Sequence, residues 1–182
     1  MIQELIDRLT KEAGKRGLDF LLIGGHAVSM LGHSRMTLDV DFLVRMEQRG
    51  EWEGLLGSFG YTCYSEGNAF AQFSGKVGWP RVDLMILSDS TFGKLVAEAS
   101  GSGAVKTPSA RHMVALKLHA ACSPDRSKPD QDWEDIRQLV MLHHLDPSES
   151  TFHDLVLRYG GKESLARIQE IWQRFIKQGD LK

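Results

Sequence analysis

The chain has 182 residues, enough to bury a substantial core as one domain or as one domain with a helical appendage. Its apolar fraction of 42% and charged fraction of 25% are ordinary for a globular protein, and a formal net charge of −2 argues against bulk electrostatic binding of DNA or RNA while leaving room for a local basic patch. The two cysteines, Cys63 and Cys122, have no zinc-ligand spacing around them and suggest neither a disulfide scaffold nor a zinc site.

Leu5, Leu9 and Ala13 share one face of an opening helix, which Gly14 and Gly17 end. The helix carries acids and does not read as a signal peptide. No apolar run approaches the roughly 20 residues of a membrane span, so no membrane partner is expected and the cytoplasm is the default location. Residues 20–23, Phe-Leu-Leu-Ile, read as a short buried strand that runs into Gly24-Gly25 and then a helix from His26. A strand, a glycine pair and a helix start leave bare backbone N–H groups where an anion can approach. The alternative is a tight turn that needs glycine only for its backbone angles.

The next strand covers 37–44. Val40, Phe42 and Val44 form its apolar face, so alternation sends Asp39 and Asp41 together to the other side. Paired carboxylates on an apolar strand repel each other and resist burial. A hard cation such as Mg²⁺ relieves both problems and keeps positions open for phosphates. The plainer alternative is an exposed strand end with two solvated acids; the glycine pair upstream favours the cation.

A helix over 51–59 carries Trp52, Leu55, Leu56 and Phe59, and strands over 61–64 and 69–73 flank a turn at Gly67-Asn68. A strand over 81–87 follows, with Val82, Leu84 and Ile86 on one face and Arg81, Asp83 and Met85 on the other. If it neighbours the Asp39–Asp41 strand, three acids converge, enough for two cations about 3.5–4 Å apart and in-line phosphoryl displacement. Residues 91–99 read as a helix and Gly101-Ser102-Gly103 as a loop. Pro108-Ser109 opens a helix through Ala121, with Ser109 as a plausible N-cap. After a polar break at 123–129 come helices over 130–142, 148–159 and 163–177. Residues 1–105 are therefore expected as a mixed α/β core and residues 106–182 as a helical region packed on it.

Several polar residues have two readings. Lys117 either snorkels from the edge of an apolar stripe or reaches a phosphate. Asp132 and Asp135 share a helix face and either favour a helix N-terminus or belong to a site. Arg35 suits phosphate binding or fold electrostatics better than chemistry. His112, His119, His143 and His144 fit structural or solvent roles. His26, beside the glycine pair, suits the site or helix packing equally, and Trp133 and Trp172 read as helix-packing residues.

The run Ile23-Gly24-Gly25-His26-Ala27-Val28, then Gly32-x-x-Arg35-x-Thr37-x-Asp39-Val40-Asp41-Phe42-Leu43-Val44, resembles the nucleotidyltransferases of the DNA polymerase β superfamily. It is similar in particular to the minimal bacterial branch that includes the AbiEii-type abortive-infection toxins. The downstream segments Lys117-Leu118-His119-Ala120, Arg126-x-Lys128 and Asp132-Trp133-Glu134-Asp135-Ile136 extend the likeness over roughly residues 18–140. His26 stands where many members carry Ser. The resemblance implies an α+β fold, a polymerase-β-like mixed sheet flanked by helices with a helical C-terminal extension. It implies transfer of a nucleoside monophosphate from an NTP such as ATP to an acceptor hydroxyl on RNA, protein or a small molecule. Asp39, Asp41 and Asp83 would be the catalytic and metal-binding acids for Mg²⁺ or Mn²⁺. Gly24, Gly25, Arg35, Lys117, Asp132 and Asp135 would serve the nucleotide. An antitoxin protein is the implied partner of a toxin role. A non-catalytic nucleotide- or protein-binding module on the same fold is the alternative.

Overall fold

A computed structural model describes residues 2–101, 103–124 and 127–179. Ser102 of the expected loop and Arg126 of the downstream motif lie outside them. The chain divides into two compact units, residues 1–30 with 34–108 and residues 31–33 with 109–182.

In the first unit the elements are α1 (Ile2–Lys15), β1 (Phe20–Ile23), α2 (Gly24–Met30), β2 (Val40–Arg45), α3 (Arg49–Ser58), β3 (Thr62–Glu66), β4 (Phe70–Ser74), β5 (Val82–Leu87) and α4 (Asp89–Ala97). The strands form one five-stranded sheet in the order β1-β2-β5-β4-β3. Only the β2–β5 pair is parallel; the other pairs are antiparallel. The sheet is therefore mixed, and the fold is α+β.

Period-two alternation sorts the sheet into two faces. Val40, Phe42, Val44, Ala71, Phe73, Val82, Leu84 and Ile86 are buried against Ile6, Leu9 and Ala13 of α1 and Trp52, Leu55 and Leu56 of α3. Trp52 anchors this layer: its ring lies 5.3 Å from that of Phe42, and its indole N–H donates to the Asp19 carbonyl at 3.3 Å. Such aromatic pairs add about 0.5–1.5 kcal/mol beyond the area they bury. The opposite face carries Asp41 and Asp83. Arg45, on that face of β2, lies over the Phe92 ring of α4 at 4.7 Å.

Two boundaries differ from the sequence reading. β2 begins at Val40, whose N–H donates to the Arg81 carbonyl, so Asp39 sits just before the strand and is exposed. There its carboxylate stays hydrated, which burial on a sheet face would deny it. The helix after β1 begins at Gly24, not at His26.

The second unit is helical: α5 (Ala110–Ala121), α6 (Pro129–Leu142) and α7 (Ser150–Gly179). Met113, Val114 and Leu118 of α5, Ile136, Leu139 and Val140 of α6, and Phe152, Val156 and Ile168 of α7 are buried. The two helices expected over 148–177 form one run broken at Gly161, whose φ of 72° and ψ of −173° suit only glycine. Ser109 occupies the N-cap position without a capping bond; its Oγ pairs with His112 Nδ1 at 3.0 Å. Arg167 stacks on the Trp133 ring at 4.0 Å, and Trp172 packs on Phe175. Among the described residues, no helix is long and apolar enough to cross a membrane.

Candidate active site

The site is built on the middle of the sheet. Parallel pairing of β2 with β5 puts Asp41 and Asp83 in register, side by side on one face. Antiparallel pairing of β4 with β5 puts Gln72 in register with Asp83 on its other flank. One row therefore reads Asp41, Asp83, Gln72 across three strands.

The glycine turn closes over the first of these acids. Gly24 has a φ of +67°, and a Cβ there would lie 2.0 Å from Asp41 Oδ2. A Cβ on Gly25 would lie 2.7 Å from Thr37 Cβ and 3.0 Å from Arg35 Nη1. Both glycines are thus required by close approach: one lets the Asp41 carboxylate nest in the turn, the other admits the 35–37 segment. The Ser29 hydroxyl donates to the Gly25 carbonyl at 3.0 Å and steadies the short α2.

Asp83 is the electrostatically stressed member. Its Oδ2 accepts a bond from Gln72 Nε2 at 3.0 Å, while its Oδ1 is buried with no hydrogen-bond partner. Burial raises its proton affinity above the ordinary carboxylate range. The Gln72 bond works against that rise, the charge of Asp39 adds to it, and Arg81 opposes it. Asp39 is thus close enough to act on Asp83 although it lies outside the strand. Among the described residues, no three histidine, cysteine or acidic side chains form a ready-made metal cage. The acids present are Asp41 and Asp83 in register, with exposed Asp39 beyond the strand end.

His26 is half-buried, and its Nε2 has no partner. Burial, and secondarily the charge of Arg35, lowers its pKa, so the imidazole is neutral near pH 7. It lines a cavity of about 760 Å³ together with Ile6, Thr10, Leu22 and Met30; none of the three acids lines that cavity. The chemistry-bearing groups lie on the sheet face, and concavity alone does not mark them.

Lys117, Asp132 and Asp135 come together within the second unit. Lys117 Nζ lies 2.9 Å from Asp132 Oδ1 and 2.8 Å from Asp135 Oδ2. Both acids are 0% exposed and Lys117 only 7%. Lys117 is therefore not a snorkelling residue at a stripe edge, and the two acids are not a solvated helix start. The cation bridges α5 to α6. Gln131 Nε2 donates to Asp135 Oδ1 at 3.5 Å, and His33 Nε2 stands 4.0 Å from the same oxygen.

The mixed sheet carries Asp41 and Asp83 in register behind the Gly24-Gly25 turn. The fold is that of the nucleotidyltransferases of the polymerase β type, as solved structures sharing it make plain. The antibiotic-resistance factor ANT(2″)-Ia, solved with adenylyl-2″-tobramycin, superposes with a TM-score of 0.65 at 19% identity, over 87% of this chain and 97% of that one. The lincosamide antibiotic adenylyltransferase LnuA, solved with lincomycin, gives 0.57 at 13% identity, over 76% of this chain and 98% of that one. An antigenic nucleotidyltransferase-like protein from Paracoccidioides brasiliensis gives 0.53 at 17% identity, over 92% and 91%. At such identities the likeness is one of fold. No family model matches the chain, and no curated protein matches it in sequence.

Proposed function

We propose that this protein is a metal-dependent nucleotidyltransferase that moves a nucleoside monophosphate from an NTP to an acceptor hydroxyl and releases pyrophosphate. The observation that carries the reading is the Asp41–Asp83 register pair, with the Gly24 turn closed on Asp41 and one Asp83 oxygen buried without a partner. Those donors fit a hard divalent cation, which takes carboxylate oxygens and offsets the repulsion between the acids. Asp39, Asp41 and Asp83 would hold Mg²⁺ or Mn²⁺, and the bound cation would supply charge stabilisation at the phosphates.

The remaining roles belong to the chain. Asp83, in register beside Asp41, accepts the proton of the acceptor hydroxyl. The hydroxyl oxygen forms a bond to the α-phosphorus as the bond from that phosphorus to the pyrophosphate bridging oxygen breaks. Gly24 and Gly25 keep side chains away from the triphosphate and offer backbone amides. Arg35, against Gly25, offsets phosphate charge. Lys117, Asp132 and Asp135 act in this reading through the architecture of the helical unit, because their charges already meet one another.

The finer assignments belong to the same proposal: ATP as a donor, an AbiEii-like toxin role with an antitoxin partner, and RNA, protein or a small molecule as acceptor. The direct test is incubation with each labelled NTP and Mg²⁺ or Mn²⁺, with cell RNA, cell protein, an aminoglycoside or a lincosamide as acceptor. Label transfer that vanishes in Asp41→Asn supports the reading. NTP binding without transfer to any acceptor would establish the alternative, a binding module.

A further inference from the structure

The sequence Phe70-Ala71-Gln72-Phe73-Ser74 gives β4 a plain alternation. Ala71 and Phe73 enter the core, so Gln72 must point to the acid face. The register completes the placement, because Gln72 lies opposite Asp83, which lies opposite Asp41. The Gln72 amide donates to Asp83 Oδ2 at 3.0 Å. The two oxygens of Asp83 are thereby made unequal: Oδ2 is tied to a neighbouring strand, and Oδ1 is buried and unpartnered.

The choice of donor matters. A lysine or arginine in that place would fix the carboxylate but cancel its charge. A glutamine amide fixes it and leaves the negative charge intact. Arg81, whose charge also acts on Asp83, lies over the Tyr64 ring at 5.5 Å. A neutral donor that orients an acid is the arrangement expected of the outer partner of a metal-ligating carboxylate.

We propose that Gln72 is a positioning residue of the acid site, holding Asp83 by Oδ2 so that Oδ1 is presented to the cation and the acceptor hydroxyl. This rests on the nucleotidyltransferase reading of Asp41 and Asp83. Gln72 touches neither substrate nor metal; it acts through Asp83. Its two neighbours in β4 are core residues, so the backbone that carries it is fixed by packing that a change at Gln72 leaves in place.

The test is Mn²⁺ binding, followed by the electron paramagnetic resonance of free Mn²⁺ at a fixed concentration of α,β-methylene-ATP. Gln72→Met keeps the length and loses the donor. It should weaken Mn²⁺ binding 10- to 100-fold, the range for lost outer-shell partners, while the melting temperature stays near wild type. The same change on an Asp83→Asn background should bring no further loss, because a residue acting through Asp83 has nothing left to orient. Gln72→Thr, a strand former too short to reach Asp83, gives the same readout should the methionine variant fold poorly. Mn²⁺ affinity within twofold of wild type, or an equal loss on both backgrounds, overturns the inference. A wild-type protein that binds no Mn²⁺ with the nucleotide analogue instead defeats the functional reading beneath it.

Discussion

Lys117→Met should be among the most damaging single substitutions in the helical unit. The lysine sits between Asp132 and Asp135 at 2.9 and 2.8 Å, and both acids are fully buried. Removing the cation leaves two like charges three residues apart on one face of α6 with little water to screen them. Breaking one partner out of a buried pair costs about 3–5 kcal/mol. A domain has roughly 5–15 kcal/mol in total, so the variant should be folded only marginally. An exposed lysine pair would cost about 0–1 kcal/mol, so the two cases differ by more than measurement error. The assay is urea unfolding followed by far-ultraviolet circular dichroism. Neutralising the acids as well, in Lys117→Met with Asp132→Asn and Asp135→Asn, should recover most of the loss, because it removes the repulsion between the two buried carboxylates. A Lys117→Met loss below about 1 kcal/mol would refute the reasoning. If that small loss came with weakened NTP binding, the lysine would belong to the nucleotide after all.

Other outcomes follow from the acid face. Asp83 has a folded pKa raised above 3.8, so the native state holds its proton more tightly than the unfolded chain does. Stability contributed by the protonated acid is therefore present at low pH and is lost as pH rises through the folded value. With metal chelated, Asp83→Asn should melt above wild type at neutral pH, and the gap should close below about pH 4; an asparagine variant that melts lower across the whole range contradicts this. Asp41→Asn should abolish label transfer while leaving the apo protein as stable or slightly more so, since it removes one of two adjacent like charges; full activity, or a melt far below wild type, makes Asp41 structural. Gly24→Ala should destabilise the fold by the left-handed backbone penalty of about 1–2 kcal/mol plus the cost of displacing Asp41, read as a lower melting temperature. Gly14→Ala, inside α1 with open space around it, should instead stabilise by about 0.5–1 kcal/mol. Mg²⁺ and the cognate NTP together should stabilise the fold more than either alone, by about 2.7 kcal/mol at 100 times the dissociation constant, read as a higher melting temperature.

Local patterns carried much of the fold. The four apolar residues of β1 lie between Asp19 and Gly24 and leave no other element to form. β5 alternates so regularly that its buried face, Val82, Leu84 and Ile86, could be named from the string alone. What the string could not carry was pairing. Nothing local places β5 beside β2 and parallel to it, with β4 on its far side, and that order is what puts Asp41, Asp83 and Gln72 in a row. Gln72 was overlooked for that reason. Its only sequence signal is a polar residue between two that enter the core, a signal shared by any half-exposed strand. The contacts of Lys117 are equally invisible in the sequence, because its partners are contributed by another helix and their burial is a tertiary fact.

The glycine pair has a steric role that the sequence alone does not reveal. A Gly-Gly turn between strand and helix suggests a bare backbone for an anion. In the structure its first demand is steric: Gly24 gives up its Cβ because the Asp41 carboxylate occupies that space. The two functions are compatible and reinforce each other. A side chain at Gly24 would push Asp41 from its place beside Asp83 and, in the proposed function, would also cover the turn that a triphosphate would approach. The turn and the acid therefore constrain each other, which accounts physically for Gly24-Gly25 and Asp41 in one short stretch of chain. His26 extends the logic. Its imidazole is neutral, with Arg35 the charged neighbour that acts on it, so the positive charge in this corner resides on Arg35. A site built this way places negative charge on β2 and β5 and positive charge on the 35–37 segment. In the proposed function, that polarity would suit a cation beside a polyphosphate.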